Sequence, residues 1–136
     1  MISKITHTNL FVLDQESALD FYINKLGFKI NTDAMMGPGM RWLTVSPPDQ
    51  PDFEISLMPV TEGFMFNAEA AKAMRGLIEK STFGFAIFQC NDLMATYTEM
   101  LAKGVEFVTP PKQESYGFAA MFKDNSGNWF SLYQKE

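Results

Sequence analysis

One order of secondary-structure signals occurs twice along this chain, and that repetition limits the possible folds more than any other feature. In each half, a strand-like segment precedes a helix-like segment that starts at an aspartate and ends at a glycine, and three further strand-like segments follow. Matching positions keep a nearly constant separation: Asp14 corresponds to Asp92, and Gly27 to Gly104. Self-similarity at a fixed period indicates a duplicated structural unit. The sequence therefore predicts an α+β protein made of two βαβββ modules.

The element boundaries follow from the period of the apolar residues, which is two in strands and close to four in helices. In the first half the predicted strands are Lys4–Val12, Phe28–Thr32, Met40–Ser46 and Phe53–Met58, with a helix between Asp14 and Gly27. In the second half they are Phe83–Cys90, Val105–Val108, Gly117–Lys123 and Trp129–Gln134, with a helix from Asp92 to about Lys103.

The length is ordinary for one domain, so we expect a single domain over residues 1–136. Module one covers 1–60, a connector covers 61–81 and module two covers 82–136. The alanine-rich segment Ala68–Lys80 favours a helix within the connector. A connector of this length serves either as a lid or dimer arm, or as a spacer helix over a sheet edge, and the sequence leaves both interpretations open.

Charge and rare residues exclude several classes of function. The chain has 11 Lys and Arg against 16 Asp and Glu, with no basic run, so we expect neither nucleic-acid binding nor attachment to an anionic membrane. No apolar stretch is long enough for a membrane-spanning helix. A single cysteine rules out an internal disulfide, and a single histidine rules out any site that needs two histidines from one chain. With no secretory leader pattern at the start, we expect a cytoplasmic protein.

Several segments resemble the vicinal oxygen chelate superfamily, which includes glyoxalases, bleomycin-resistance proteins and extradiol dioxygenases. The segments that carry the resemblance are Ile5–Val12, Ala18–Tyr22, Leu26–Phe28, Met100–Phe107 and Phe122–Leu132. The resemblance covers nearly the whole chain. It implies that the two βαβββ modules form a curved mixed sheet around a cavity, and that the protein is a homodimer. It does not fix the activity, because members of the superfamily include isomerases, dioxygenases, thiol transferases and binding proteins.

The resemblance also implies positions for metal ligands, and the residues present there fit a metal poorly. Those positions are His7, Ser56, Phe85 and Ser131. Phenylalanine cannot coordinate a metal, and a serine hydroxyl is a weak ligand for a transition ion. We therefore predict no metal and no other cofactor. The alternative is a divalent-metal site in which His7, Glu54 and Gln89 are completed across a dimer.

Strand alternation predicts which side chains face the cavity. His7 and Glu54 are the candidate catalytic pair, in which the carboxylate would orient the imidazole. The favoured interpretation is simpler: His7 is a polar contact for a ligand or for the neighbouring strand. The predicted ligand-binding residues are Asn9, Trp42, Thr44, Ser56, Phe85, Gln89, Met121, Trp129, Ser131 and Tyr133. We expect an aromatic or apolar ligand between Trp42, Phe85 and Trp129.

Two neighbouring features have open interpretations. Gly37–Gly39 is predicted to be a flexible rim, and Arg41 beside it would face outward unless a bulge turned it into a contact for an anion. Methionines such as Met36, Met40, Met58 and Met65 form either a pliable rim or ordinary core filling, and the second reading is favoured.

These features predict a metal-independent protein that binds a small molecule, as bleomycin-resistance proteins do. The alternative is a lyase, isomerase or dioxygenase of the glyoxalase-like type that uses His7 and Glu54 with a metal. A third possibility is a structural or regulatory dimer whose cavity is filled by its own side chains.

Overall fold

The computed structural model describes all residues from Met1 to Glu136 and contains two four-stranded sheets. The chain divides into two compact units, Met1–Lys72 (unit one) and Ala73–Glu136 (unit two). Each unit holds one sheet with the same arrangement of strands, so the α+β class and the duplicated βαβββ order are confirmed. None of the helices is both long enough and apolar enough to cross a membrane.

Unit one contains the first four strands and the first helix. Its elements are β1 (His7–Val12), α1 (Gln15–Asp20), β2 (Lys29–Gly37), β3 (Met40–Ser46) and β4 (Glu54–Pro59). The sheet order is β1-β4-β3-β2, with β1 parallel to β4 and the other pairs antiparallel. The Asp14 carboxylate caps α1 by accepting a hydrogen bond from the backbone N–H of Ser17 at 2.8 Å. A π-helical turn, Phe21–Lys25, continues α1.

Unit two repeats this arrangement. Its elements are β5 (Gly84–Cys90), α3 (Leu93–Ala102), β6 (Phe107–Glu114), β7 (Gly117–Lys123) and β8 (Trp129–Gln134), in the sheet order β5-β8-β7-β6. Asp92 caps α3 as Asp14 caps α1. The helix predicted in the connector is present as α2 (Ala68–Glu79), and the boundary between the two units lies within it.

Two strands run further than the sequence predicts. β2 continues to Gly37, and β6 continues through Pro110 and Pro111 to Glu114. The strand predicted from the sequence, Val105–Val108, ends before these prolines, which have no N–H to donate to a sheet. β6 is an edge strand, where proline is tolerated, and the β6–β7 register shifts between Thr109 and Lys112.

The alternation of buried and exposed residues agrees with the sequence in the central strands. Leu10, Leu43, Val45 and Leu57 are fully or almost fully buried in unit one. Phe88, Phe122 and Phe130 stack in unit two, with ring centroids of Phe122 and Phe130 5.2 Å apart. Burying aromatic and aliphatic side chains in this way contributes about 1.5–3 kcal/mol each, so each unit has its own apolar core.

Candidate functional site

Unit one contains a cavity of about 620 Å³. It lies between the β2–β3 turn, the start of β3, the end of β4 and the first residues after β4. Four methionines and three aromatic residues line it: Met36, Met40, Met58, Met65, Trp42, Phe64 and Phe66. Pockets that take small organic molecules are commonly 300–1,000 Å³ in volume and mainly apolar. This cavity therefore has the size and the wall chemistry for an aromatic ligand.

The wall that follows β4 is a short loop, Thr61–Phe66. Its backbone closes on itself, because the N–H of Gly63 donates to the carbonyl of Phe66 at 2.9 Å. The ring of Phe66 packs edge-on against Phe11 on β1, with centroids 5.4 Å apart. Phe64 at the tip is 83% exposed. The loop is therefore fixed at one end by an aromatic contact, while an apolar side chain stands free at the cavity mouth.

His7 and Glu54 lie directly opposite each other on the paired strands β1 and β4. The distance from Nε2 of His7 to Oε2 of Glu54 is 2.9 Å. The other carboxylate oxygen accepts a hydrogen bond from the Thr44 hydroxyl at 2.7 Å, and that hydroxyl accepts one from the backbone N–H of Thr32. Nδ1 of His7 is 2.8 Å from the hydroxyl of Thr6. Both nitrogens of the imidazole thus have partners, so His7 hydrogen-bonds to a ligand only if Thr6 or Glu54 moves.

Arg41 borders the cavity, and its charge is already compensated. Asp33 holds it through two parallel bonds of 2.8 Å, and Glu16 accepts a third at 2.6 Å. Hydrogen bonds to Asp33 and, to a smaller extent, to Glu16 raise the pKa of Arg41. The hydrogen bonding between Arg41 and Asp33 also lowers the pKa of the Asp33 carboxyl. The side-chain amide of Gln15 also donates to the carbonyls of Arg41 and Leu57, which joins α1 to β3 and β4.

The β2–β3 register does shift beside Arg41, between Met35 and Gly37, and Arg41 lines the cavity. Its guanidinium is nevertheless already bound by two carboxylates, so it is a poor contact for an anionic ligand.

Two predicted ligand-binding residues of unit one are closed to solvent. Thr44 and Ser56 are fully buried, and the hydroxyl of Ser56 is the one buried side-chain polar atom without a hydrogen-bond partner. Asn9, which is opposite Ser56 on β1, is exposed. Trp42 is half-buried in the cavity wall, with its ring centroid 6.2 Å from that of His7. Of these residues, only Trp42 lines the cavity.

In unit two the predicted residues fall into separate pairs. Gln89 and Tyr133 face each other, and the Tyr133 hydroxyl donates to the Gln89 side-chain oxygen at 2.7 Å. Met121 lies opposite Ser131 on neighbouring strands.

Phe85 departs from the orientation that alternation predicts. The β5–β8 register shifts at this residue, and its ring packs edge-on against the buried ring of Phe130, with centroids 5.7 Å apart. An irregularity of this kind turns a side chain to the other face of the sheet. Simple alternation from Phe83 to Cys90 cannot reveal it.

Sequence patterns do not predict the part played by the aromatic residues of the loop after β4. Phe64 and Phe66 are absent from the predicted ligand-binding residues, and the cavity methionines are predicted as core filling. A usable signal was present, because Gly63 is followed by three large apolar residues in a connector that is otherwise polar or alanine-rich.

The family model described as "Glyoxalase/Bleomycin resistance protein/Dioxygenase superfamily" matches residues 4–132. The chain belongs to this superfamily. Among curated proteins, it is 35% identical over 132 residues to the protein YetH of Bacillus subtilis (strain 168), covering 97% of this chain and 98% of YetH.

Two solved structures match over nearly the whole chain. UcmS2 is 38% identical with a TM-score of 0.93, and the match covers 99% of this chain and 100% of that one. TnmS3, an antibiotic binding protein from Streptomyces sp. CB03234, is 27% identical with a TM-score of 0.76, covering 99% and 98% of the two chains.

The residues of this chain do not fit the metal site that the resemblance to the superfamily implies. The structure contains no group of three or more His, Cys, Asp or Glu side chains placed to hold one metal ion. His7 has only Glu54 beside it, and the buried hydroxyl of Ser56 is a weak ligand for a transition ion. Stable protein sites for zinc or iron generally use at least three side chains. A single chain therefore lacks the donors for such a centre.

Proposed function

We propose that this superfamily member binds an aromatic small molecule in the cavity of unit one, without a metal and without changing the ligand chemically. The observation that carries the proposal is the wall of that cavity, in which four thioethers and three aromatic rings converge. The antibiotic-binding function stated for TnmS3, which has the same fold, supports a role of this kind.

The cavity wall suits a ligand whose shape is not unique. Methionine side chains are unbranched and polarizable, so they adapt to irregular apolar surfaces and contact aromatic rings favourably. Trp42 provides a flat aromatic surface in the cavity wall, and Phe64, also in the wall, is largely exposed. Aromatic pairs contribute about 0.5–1.5 kcal/mol beyond the burial of area, which makes Trp42 the expected main contact.

A fluorescence titration with the neutral probe 9-anthracenemethanol tests this proposal. We expect saturable binding to the purified chain and a higher melting temperature at excess probe, since a ligand that binds the native state stabilises it. Trp42→Ala should weaken binding about tenfold through loss of its ring contact. Absence of saturable binding by this and other neutral polycyclic compounds would refute the proposal.

Two exposed methionines supply a matched control pair. Met40 is 47% exposed and lines the cavity, while Met94 is 51% exposed on α3 and does not. Met40→Ala should weaken the binding of the probe about threefold, and Met94→Ala should leave it unchanged, because the contact of one thioether with a ring contributes about 0.3–1.5 kcal/mol. Equal effects of the two substitutions would place the probe elsewhere.

A second candidate function is acid–base catalysis by His7 and Glu54, favoured by their 2.9 Å contact. In its metal-dependent form, as a glyoxalase-like lyase or a dioxygenase, it requires ligands from a second copy of the chain, with Gln89 as one donor. Elemental analysis of the purified protein separates the candidates. Stoichiometric divalent metal that is lost in His7→Ala would favour the enzyme, and metal-free protein that binds the probe would favour the binder.

We also propose a homodimer in the cytoplasm, as the resemblance to the superfamily implies. The chain exposes several large apolar side chains outside the cavity, among them Ile87, Leu101 and Val108, and such surfaces are commonly covered in oligomers. Light scattering coupled to size-exclusion chromatography tests this, and a molar mass of one chain at micromolar concentration would refute the dimer.

A further inference from the structure

We infer that the cavity of unit one selects aromatic ligands that carry a positive charge and discriminates against anionic ones. The inference rests on the proposed function, because it names the class of molecule that the same cavity takes. It depends on where the charges around the cavity lie.

Arg41 is the only basic residue in the cavity wall, and it offers no free charge. Its Nε and one terminal nitrogen bind Asp33, and its other terminal nitrogen binds Glu16. To bind an anionic ligand, Arg41 would have to give up a charge-assisted hydrogen bond to one of these carboxylates. Such an exchange brings little net gain, so the guanidinium does not attract anions into the cavity.

The other charged residue in the wall is Glu62, in the loop Thr61–Phe66. Its side chain takes part in no ion pair with a basic residue. The turn that joins Gly63 to Phe66 fixes the loop that carries it. Asp33 and Glu16 offset the positive charge of Arg41, whereas the negative charge of Glu62 in the wall has no basic partner. The charged groups of the cavity wall and their ion-pair partners therefore carry an excess of negative charge.

The remaining wall is suited to a cation with an apolar body. Trp42, Phe64 and Phe66 present aromatic rings, whose faces attract cations electrostatically. The thioethers of the methionines add polarizable surface and no positive charge. An aromatic cation would therefore place its body against rings and thioethers, and its charge towards Glu62.

Three anthracenes that differ only in one substituent test this inference. At neutral pH, 9-(aminomethyl)anthracene is a cation, 9-anthracenemethanol is neutral and 9-anthracenecarboxylate is an anion. We expect the cation to bind about three- to tenfold more tightly than the alcohol, because an exposed ion pair and an exposed cation–π contact each contribute only modestly. The carboxylate should bind more weakly than the alcohol by a similar factor. Raising the salt concentration should reduce both differences, because exposed charges are screened.

The substitution Glu62→Gln identifies the residue responsible. It should reduce the ratio of the affinity for the cation to the affinity for the alcohol towards one. Asp49→Asn is the matched control, because Asp49 is an exposed acid of unit one that does not line the cavity. It should change none of the three affinities.

The outcomes separate this inference from the proposed function. If the three compounds bind equally, or the carboxylate binds best, the cavity is a binding site without the selectivity inferred here. If Glu62→Gln weakens all three by the same factor, Glu62 acts through the shape of the loop and the inference is wrong. If none of the three binds, the proposed function fails together with it.

Discussion

The two units have equivalent strand ladders, but the side chains along them differ in kind. On the parallel pair β1–β4, the first position holds His7 opposite Glu54, and the equivalent position on β5–β8 holds Gly84 opposite Trp129. At the other end, unit one has Phe11 opposite Met58. The first of these positions is therefore polar in unit one and apolar in unit two.

The unit two position that corresponds to Phe11 and Met58 completes the comparison, since Gln89 lies opposite Tyr133 there and accepts a hydrogen bond from its hydroxyl. Duplication has kept the backbone pairing, which depends on hydrogen bonds common to all residues, and has left the side chains free to diverge. The apolar end of unit one, at Met58, became part of a cavity, whereas unit two holds a polar pair at the same place. The shared fold therefore does not imply a shared chemical role for the two copies.

The largest effect on stability is expected at the close approach of Gly84 and Trp129, the unit two position that differs from His7 and Glu54 in unit one. A Cβ atom at Gly84 would lie 2.3 Å from the Trp129 ring. We expect Gly84→Ala to lower the free energy of unfolding by about 1–3 kcal/mol, as overpacking generally does. Urea denaturation measures this loss.

Gly76 in α2 is the matched control, because a Cβ atom there meets nothing within 4 Å. Gly76→Ala should stabilise the chain by about 0.5–1 kcal/mol, since alanine favours a helix over glycine. If Gly84→Ala leaves the free energy of unfolding unchanged, the Trp129 ring moves aside at little cost. The first ladder positions of the two units would then differ only in the identity of their side chains.

The next prediction concerns the turn before β8. We expect Asp124→Ala to lower the free energy of unfolding by about 1–3 kcal/mol. One oxygen of Asp124 accepts the backbone N–H groups of Ser126, Gly127 and Asn128, and the other accepts the Asn128 amide. Removing the carboxylate leaves these largely buried donors without their acceptor. Thermal unfolding measures the effect.

Asp124→Asn serves as the companion variant, because its carbonyl oxygen retains one acceptor. It should cost clearly less than the alanine change. Equal costs would show that the turn depends on charge rather than on the number of accepted bonds.

The smallest effect concerns the ion pair at the rim of the cavity. Arg41 lowers the pKa of Asp33 below its ordinary value of 3.8. A group whose pKa is lower in the folded state stabilises the fold at pH values above its unfolded pKa, and this contribution is lost as pH falls through the folded pKa. Asp33→Asn should therefore be slightly less stable than the wild type at pH 7.

The difference in stability between Asp33→Asn and the wild type should disappear as the pH falls below 3.8 towards the lowered pKa of Asp33. Acid titration followed by circular dichroism checks this. A difference that stays constant into strong acid would show that Asp33 acts through packing, and it would weaken the assignment of Arg41 as a compensated charge.

Local patterns in the sequence predicted most of the fold. Strand alternation placed Leu10, Leu43 and Leu57 in the core, and the capping aspartates marked where α1 and α3 begin. Alternation also brought His7 and Glu54 to one face, where the structure joins them. The bulge at Phe85 and the continuation of β6 through its prolines were not predictable in this way, because both depend on the pairing with a neighbouring strand.

The sequence by itself determined the duplicated topology, because the hydrophobic period and the caps are local properties of the chain. Only the tertiary structure decided which side chains form the cavity. Phe64 and Phe66 line it because of the conformation of a loop that has no periodic sequence signal. The charge of Arg41 is compensated by Asp33 and Glu16, which lie on other elements. Contacts between residues far apart in sequence set the shape and charge of a site, and no local pattern records them.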